Sequence, residues 1–348
     1  KLSELPFATV IRESGTSFVK DKAYLYVYLD PRKTNQFDGY IGVVPVNEQT
    51  GKVTVNGEMN LALQNLFHYG ETFALTWRST ERYSQYLNMS AKIPYLFQTH
   101  FGVAGDFHLN KQDTSYLTLN YHIGLPYAFA NNSYIQPYFD FTSSTILNSN
   151  LISLDSDTGY IDYHKTLYGV LLRYRKLDYL FNPRKGFDFQ ANLSAGRRVI
   201  LQNVSVDSAL YQNLDLTKTS YKISGSLQGF IPAGKYFVIV PRLQSGSLLR
   251  GPHYYNELFD IGGEAMIRGF NENELRASTY LIASAELRYL FGKMSYLHVF
   301  FDFGTYEQQL TNHYLRDYPF GFGTGISFAT KAGMFYLDYA LGKQLDNP

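Results

Sequence analysis

From residue 37 onward the chain repeats segments of about ten residues whose apolar and polar positions alternate, each closed by a polar or glycine-bearing turn. No run reaches the roughly eighteen apolar residues that a membrane-spanning helix needs. The richest stretch, 289–303, is broken by Lys293, His298 and Asp302. A period of two between turns specifies strands joined as a meander. The segments fall at 37–46, 53–66, 72–80, 83–93, 102–110, 115–124, 134–145, 163–174, 186–198, 220–230 and 235–249. After an interruption at 251–278 they resume at 279–291, 296–304, 320–329 and 334–341. That makes about fifteen strands, whereas single-chain bacterial barrels usually have an even number.

Composition narrows the sheet type. The 348 residues include 31 Tyr and 26 Phe but only 18% charged residues, and the mean hydropathy is still slightly negative. A transmembrane barrel needs apolar residues only at alternate positions and gathers aromatics at the lipid interfaces. Composition alone also leaves open a Tyr-rich soluble sandwich or β-helix. Connection lengths favour the barrel. Gly70-Glu71, Pro232-Ala233-Gly234 and Gly292-Lys293 are short, whereas 148–162, 199–218, 251–278 and 306–318 are long and polar. Short periplasmic turns opposite long external loops are the arrangement of outer-membrane barrels. Residues 1–36 differ: 23–29 (AYLYVYL) is strand-like, and 31–35 interrupts it. We expect 1–36 to be the tail of a small periplasmic domain with its linker, and 37–348 to be the barrel. No export signal precedes Lys1, so a processed or truncated product is expected.

Other function classes find little support. A net charge of +1 gives no electrostatic footprint for nucleic acid. The absence of Cys removes disulfides and thiolate metal sites, and the 8 His lack HxxxH or HxH spacing. There is no G-x-S-x-G elbow, and Gly321, Gly323 and Gly325 have no strand-to-helix context for a nucleotide. Neither an enzyme nor a cofactor is expected. A passive pore is the main rival, and a barrel lipase with a wall-mounted Ser-His pair a minor one.

Parity assigns the faces. In 279–291, Leu281, Ala283, Ala285, Leu287 and Tyr289 suit lipid, and Ser284, Glu286 and Arg288 suit a wet lumen. In 296–304, Leu297, Val299, Phe301 and Phe303 point outward, and His298, Phe300 and Asp302 inward. In 320–329 the inward set is Gly321, Gly323, Gly325 and Ser327. A wall stripped of side chains leaves room for something bulky against it, so the lumen is expected to hold a loop.

The 251–278 interruption contains Phe259-Asp260-Ile261-Gly262-Gly263-Glu264-Ala265-Met266-Ile267-Arg268-Gly269-Phe270. Its IRGF string resembles the [V/I/L]RG[F/Y] signature of the BamA/TamA outer-membrane assembly-factor superfamily, which includes FhaC-type two-partner secretion translocators. Further segments resemble that family in the same order. Asn182-Pro183-Arg184-Lys185-Gly186 looks like its turn before a mid-barrel strand, and Ala285-Glu286-Leu287-Arg288 like its strand after the signature loop. Phe301-Asp302-Phe303-Gly304 looks like its Asp-x-Gly motif, and Gly321-Phe322-Gly323-Thr324-Gly325 like its glycine strand. The likeness spans 23 to about 345.

The resemblance implies an all-β, transmembrane antiparallel barrel of about sixteen strands with the signature loop folded into the lumen. Arg268 would sit at the loop tip and pair with the wall at Asp302, with Glu286 and Arg288 nearby. Asp302 and Glu286 already fall on the inward parity. Gly262, Gly263 and Gly269 would permit the reversals, and Glu264, Ile267 and Phe270 complete the signature loop. The sixteenth strand is expected beyond Pro348, because eleven segments precede 251 and four follow 278. The first strand, with Phe37, Gly39, Tyr40, Ile41, Gly42, Val43 and Val44, would then be a gate strand short of main-chain partners on one side. The family implies a non-enzymatic role at the bacterial outer membrane, inserting barrel proteins at the seam. Its FhaC-like branch secretes a partner through the lumen. Implied partners are unfolded outer-membrane or secreted polypeptides, outer-membrane lipids and accessory lipoproteins, with an N-terminal periplasmic POTRA-type part.

Overall fold

The alternating segments become strands, and hairpin register ties them into one wall. The computed structural model describes residues 8–31, 35–47, 52–79, 84–130, 132–148, 159–180, 182–204, 208–212, 214–292, 294–311, 313–330 and 334–345. β1 (Ala8–Val19) and β2 (Lys22–Pro31) pair antiparallel in a sheet of their own. The wall starts with β3 (Gln36–Asn47), β4 (Lys52–Gln64), β5 (Thr72–Ser79), β6 (Gln85–Ile93), β7 (Val103–Gln112) and β8 (Tyr116–Gly124). The short β9 (Tyr127–Ala130) follows β8 past Leu125-Pro126 and pairs with the start of β10 (Ser133–Ile146). Next come β11 (Tyr163–Leu177), β12 (Gly186–Ile200), β13 (Thr217–Ala233) and β14 (Phe237–Leu249). β15 (Phe259–Ile261) and β16 (Leu275–Ala277) form a separate hairpin within the long interruption. The wall resumes with β17 (Thr279–Leu290), β18 (Tyr296–Gln309), the short β19 (Tyr314–Asp317), β20 (Phe320–Ala329) and β21 (Met334–Lys343).

Among the described residues seventeen strands enter the closed order, and β9 and β19 only extend it, leaving fifteen staves. Eleven precede the interruption and four follow it, as the periodicity predicts. Two expectations are corrected. The segment 306–318 is mostly strand: β18 runs to Gln309 and β19 folds back on it, with Glu307 opposite Arg316. Its polar residues hid a hairpin held partly by opposite charges. β13 continues through Pro232 and Ala233, which sit at the hairpin end where a missing N–H is tolerated.

The order of neighbours returns from β21 to β3, closing fifteen staves rather than the sixteen expected. Consecutive staves are antiparallel, so an odd count makes β3 and β21 run in the same direction. Consecutive staves share residue-by-residue register, as β3–β4 and β20–β21 do. β21 and β3 are hydrogen-bonded neighbours in that order, so the first strand, expected to lack main-chain partners on one side, has β21 beside it. Both are exposed on both faces: Phe37, Tyr40 and Ile41 in β3, and Tyr336, Leu337 and Tyr339 in β21. The side chains of Val43 and Val44, and residues 346–348, lie outside the described residues.

Elsewhere the faces follow parity. Leu287 and Phe301 are exposed to the outside, whereas Ser284, His298, Phe300 and Asp302 are buried. The β15–β16 hairpin is held against the wall by an apolar cluster of Ile261, Leu275, Ala277 and Tyr306, with Met266, Phe270 and Tyr280 around it. Burying that surface is what draws a polar-tipped loop inward from the rim.

Candidate functional site

The site is built where the loop meets β17, β18, β20 and β21. Across the short hairpin Asp260 stands opposite Arg276, and the two form an ion pair. Beyond it the chain reverses at the tip. Gly269 has φ +94°, and a Cβ there would come within 2.6 Å of the Leu341–Gly342 backbone. Both the left-handed conformation and the close approach demand glycine. A Cβ on Gly321 would collide with the carbonyl oxygen of Arg268. On the bare inward face of β20 the tip thus lies at Gly321, whereas Phe300 covers Gly323, and His298 and Asp338 cover Gly325.

Arg268 is the centre of the polar contacts. Its main-chain N–H donates to Asp302 Oδ2 at 3.0 Å, its Nε to the same oxygen at 2.8 Å, and its Nη2 to Oδ1 at 2.7 Å. Nη1 donates to Glu286 Oε2 at 2.7 Å, and Arg288 Nε donates to the other oxygen of Glu286 at 2.6 Å. Asp302 is 0% exposed. A carboxylate so enclosed is tolerable only when its charge is paired and its lone pairs are used. Below the guanidinium lies the Phe300 ring, 3.5 Å from Arg268 Cζ to centroid, a cation–π contact. Burial alone would lower the Arg268 pKa, but Asp302 and Glu286 outweigh it and raise it above the usual arginine value.

The structure brings Arg268, Asp302, Glu286 and Arg288 together. Ile267 is fully buried and, with Ile282 and Pro319, crowds the bare α-carbon of Gly304. Phe270 packs with the apolar cluster instead of the wall carboxylates. Gly262 and Gly263 take positive φ at the start of the tip. Glu264 is exposed, and its N–H donates to Glu272 Oε1 at 3.2 Å. None of the described contacts joins the gate residues Phe37, Gly39, Tyr40, Ile41 or Gly42 to this network.

Sequence reasoning missed three supports. Arg242 of β14 donates from Nη1 to the Ala265 carbonyl and from Nη2 to the Met266 carbonyl, each at 3.1 Å. His298 Nε2 lies 3.3 Å from Asp338 Oδ1 on β21, over the bare α-carbon of Gly325. Gly342 admits the tip backbone. Parity extended to β14 and β21 would have put Arg242, Asp338 and Gly342 on the inner face, so that signal was present.

Residues 65–347 match the family model described as the Omp85 superfamily domain. The chain belongs to the Omp85 superfamily. This Omp85 barrel is therefore an outer-membrane β-barrel of the class that assembles or secretes proteins. No curated protein matches it in sequence. Among solved structures it resembles BamA from Haemophilus ducreyi lacking POTRA domains 1–3, at 15% identity and TM-score 0.57, covering 100% of this chain and 74% of that one. It also resembles CdiB from Acinetobacter baumannii, at 12% identity and TM-score 0.60, covering 99% and 63% of the two chains. CdiB from Escherichia coli is similar at 13% identity and TM-score 0.58, covering 98% and 64%. At these identities the likeness is one of fold, and the chain spans less than two thirds of either CdiB chain.

Proposed function

We propose that this Omp85 barrel inserts outer-membrane proteins through the seam between β3 and β21, with the 251–278 hairpin held in the lumen by Arg268. The seam carries the reading: β21 and β3, which close the barrel, run in the same direction whereas consecutive staves elsewhere are antiparallel, and each is exposed on both faces. Opening this seam frees two edge strands, which template an incoming strand by β-augmentation. The tip abuts the inner side of β21 at Gly342, so the same loop that fills the lumen braces one edge of the seam. Arg268 and Asp302 are the anchor in this reading, with Glu286 and Arg288 in support. Unfolded barrel polypeptides are the substrates, and outer-membrane lipids and accessory lipoproteins the further partners. β1 and β2 are the tail of a periplasmic POTRA-type domain.

Because the sequence has no Cys, introduced cysteine pairs test the seam cleanly. Pairs linking 36–42 to 334–343 are to be scanned in the protein reconstituted in liposomes. Folding of an added urea-unfolded barrel protein into a protease-resistant form is then followed. Oxidation should stop insertion and reduction should restore it. Full activity with a locked seam would sink the proposal.

One observation favours a second reading, FhaC-like secretion through the lumen. A polar chamber of about 830 Å³ lies beside the hairpin, lined by Arg78, Tyr86, Asn88, Lys111, Glu272 and Arg276 among others. A disulfide tying the hairpin to β18 would block that route while leaving seam insertion intact.

A further inference from the structure

At the root of the loop, Tyr255–Glu257 make one 3-10 turn, and the Glu257 side chain is only 1% exposed. It lies against the wall formed by β10, β11 and β12. There Lys165 and Arg198 stand directly opposite each other in register, both buried. Like charges facing each other across strands are unfavourable unless an opposite charge bridges them. Glu257 supplies it: Lys165 Nζ is 3.2 Å from Oε1, and Arg198 Nη1 donates to Oε2 at 2.6 Å. The Tyr254 N–H donates to the same Oε2 at 3.1 Å.

Asn256 extends the attachment. Its side-chain amide donates to Ser144 Oγ and to the Ile161 carbonyl, each at 2.8 Å, and the Tyr163 hydroxyl donates to its main-chain carbonyl at 3.1 Å. All of these partners lie in β10, β11, β12 or the residues just before β11. The partners of Arg268 lie in β17 and β18. Nothing in the Arg268 network requires this second set of contacts.

We infer that Glu257 is a positioning residue, a second anchor that fixes the root of the hairpin to the β11–β12 wall, so that the plug is held at two ends and leaves the lumen only when both release. The inference rests on the plug reading and is separable from it by experiment. Lys165 and Arg198 hold Glu257, and Asn256 sets the angle at which the loop enters.

The test uses the full chain in planar bilayers and liposomes. Glu257→Gln is compared with Arg268→Ala, with the heat-shifted gel mobility of a folded barrel as control. Glu257→Gln should raise the frequency of large-conductance openings. It should also speed protease cleavage within 251–278 on the order of a hundredfold, as when a buried ion pair loses one partner. Exchanging the charges, Glu257→Lys with Lys165→Glu, should return both readouts towards the parent, an outcome a merely structural role would not give. A folded exchange variant that stays open counts against the anchor. If Glu257→Gln yields no folded barrel, Lys165→Gln is measured instead and should loosen the loop to a smaller extent. Parental current and protection in the folded Glu257 or Lys165 variant, with Arg268→Ala open, overturns the second anchor and leaves the plug reading intact. Parental behaviour in Arg268→Ala as well overturns the plug reading itself.

Discussion

Arg268 gives three hydrogen bonds to the single carboxylate of Asp302, one from its main chain and two from its guanidinium. The main-chain bond sets the height of the tip and the side-chain fork sets its direction. Lysine cannot reproduce a bidentate fork that also lies flat on Phe300. Replacing Arg268 or Asp302 by Ala should destabilise loop docking by about 3 to 5 kcal/mol, less where lumen water reaches the orphaned charge. Removing both should cost little more than removing one, because the two act as a pair. Protease access to 251–278 across the double-mutant cycle measures this, and additive losses would contradict it.

Gly321 offers a sharper geometric test. A single methyl group there meets the Arg268 carbonyl oxygen, which is backbone and cannot swing aside. Gly321→Ala should therefore expose the loop to protease while the barrel stays folded on an unboiled gel. Phe322→Leu, at the exposed neighbouring position, should leave protection unchanged.

The root of the loop should respond to acid. Burial pushes the Glu257 pKa up, but Lys165, Arg198 and His253 outweigh it and bring it from 4.5 to about 2. A carboxyl depressed on folding contributes stability that is complete above its unfolded pKa. That contribution declines as pH falls below about 4.5 and is gone once pH has passed through about 2. Pepsin cleavage within 251–278 should accelerate across this window in the parent. In Glu257→Gln the Glu257 contribution to that pH dependence should be missing.

Gly325 predicts a link to the seam. A Cβ there would displace Asp338 from His298, freeing the inner side of β21. Gly325→Ala should speed amide hydrogen exchange along 334–343 relative to the parent, with little change in 279–290. Equal exchange in both would show that the His298–Asp338 contact does not brace the last stave.

Much of this was legible in the chain. Strict alternation placed Ser284, Glu286, Arg288, His298 and Asp302 inside before any pairing was known, and the bare face of 321–325 implied an occupant. The rest depends on register. Lys165 and Arg198 look like two ordinary lumen charges until pairing sets them opposite each other. β1 was missed because its alternation is broken, with register shifts between Val10 and Arg12 and between Arg12 and Gly15. The stave count could be read along the chain, but the relation of β21 to β3 is a contact between distant segments that periodicity does not encode.

The two ends of the hairpin carry opposite signs, and so do the walls that receive them. Arg268 brings one positive charge to two carboxylates, Asp302 and Glu286, whereas Glu257 brings one negative charge to two cations, Lys165 and Arg198. A hairpin entering the wrong way round would set Arg268 against Lys165 and Arg198, and Glu257 against Asp302 and Glu286. Arg268 would then face two cations, and Glu257 two carboxylates that Arg288 only partly offsets. Under the proposed plug reading the loop is therefore a key with a polarity: like charges disfavour misdocking and favour return in the original orientation.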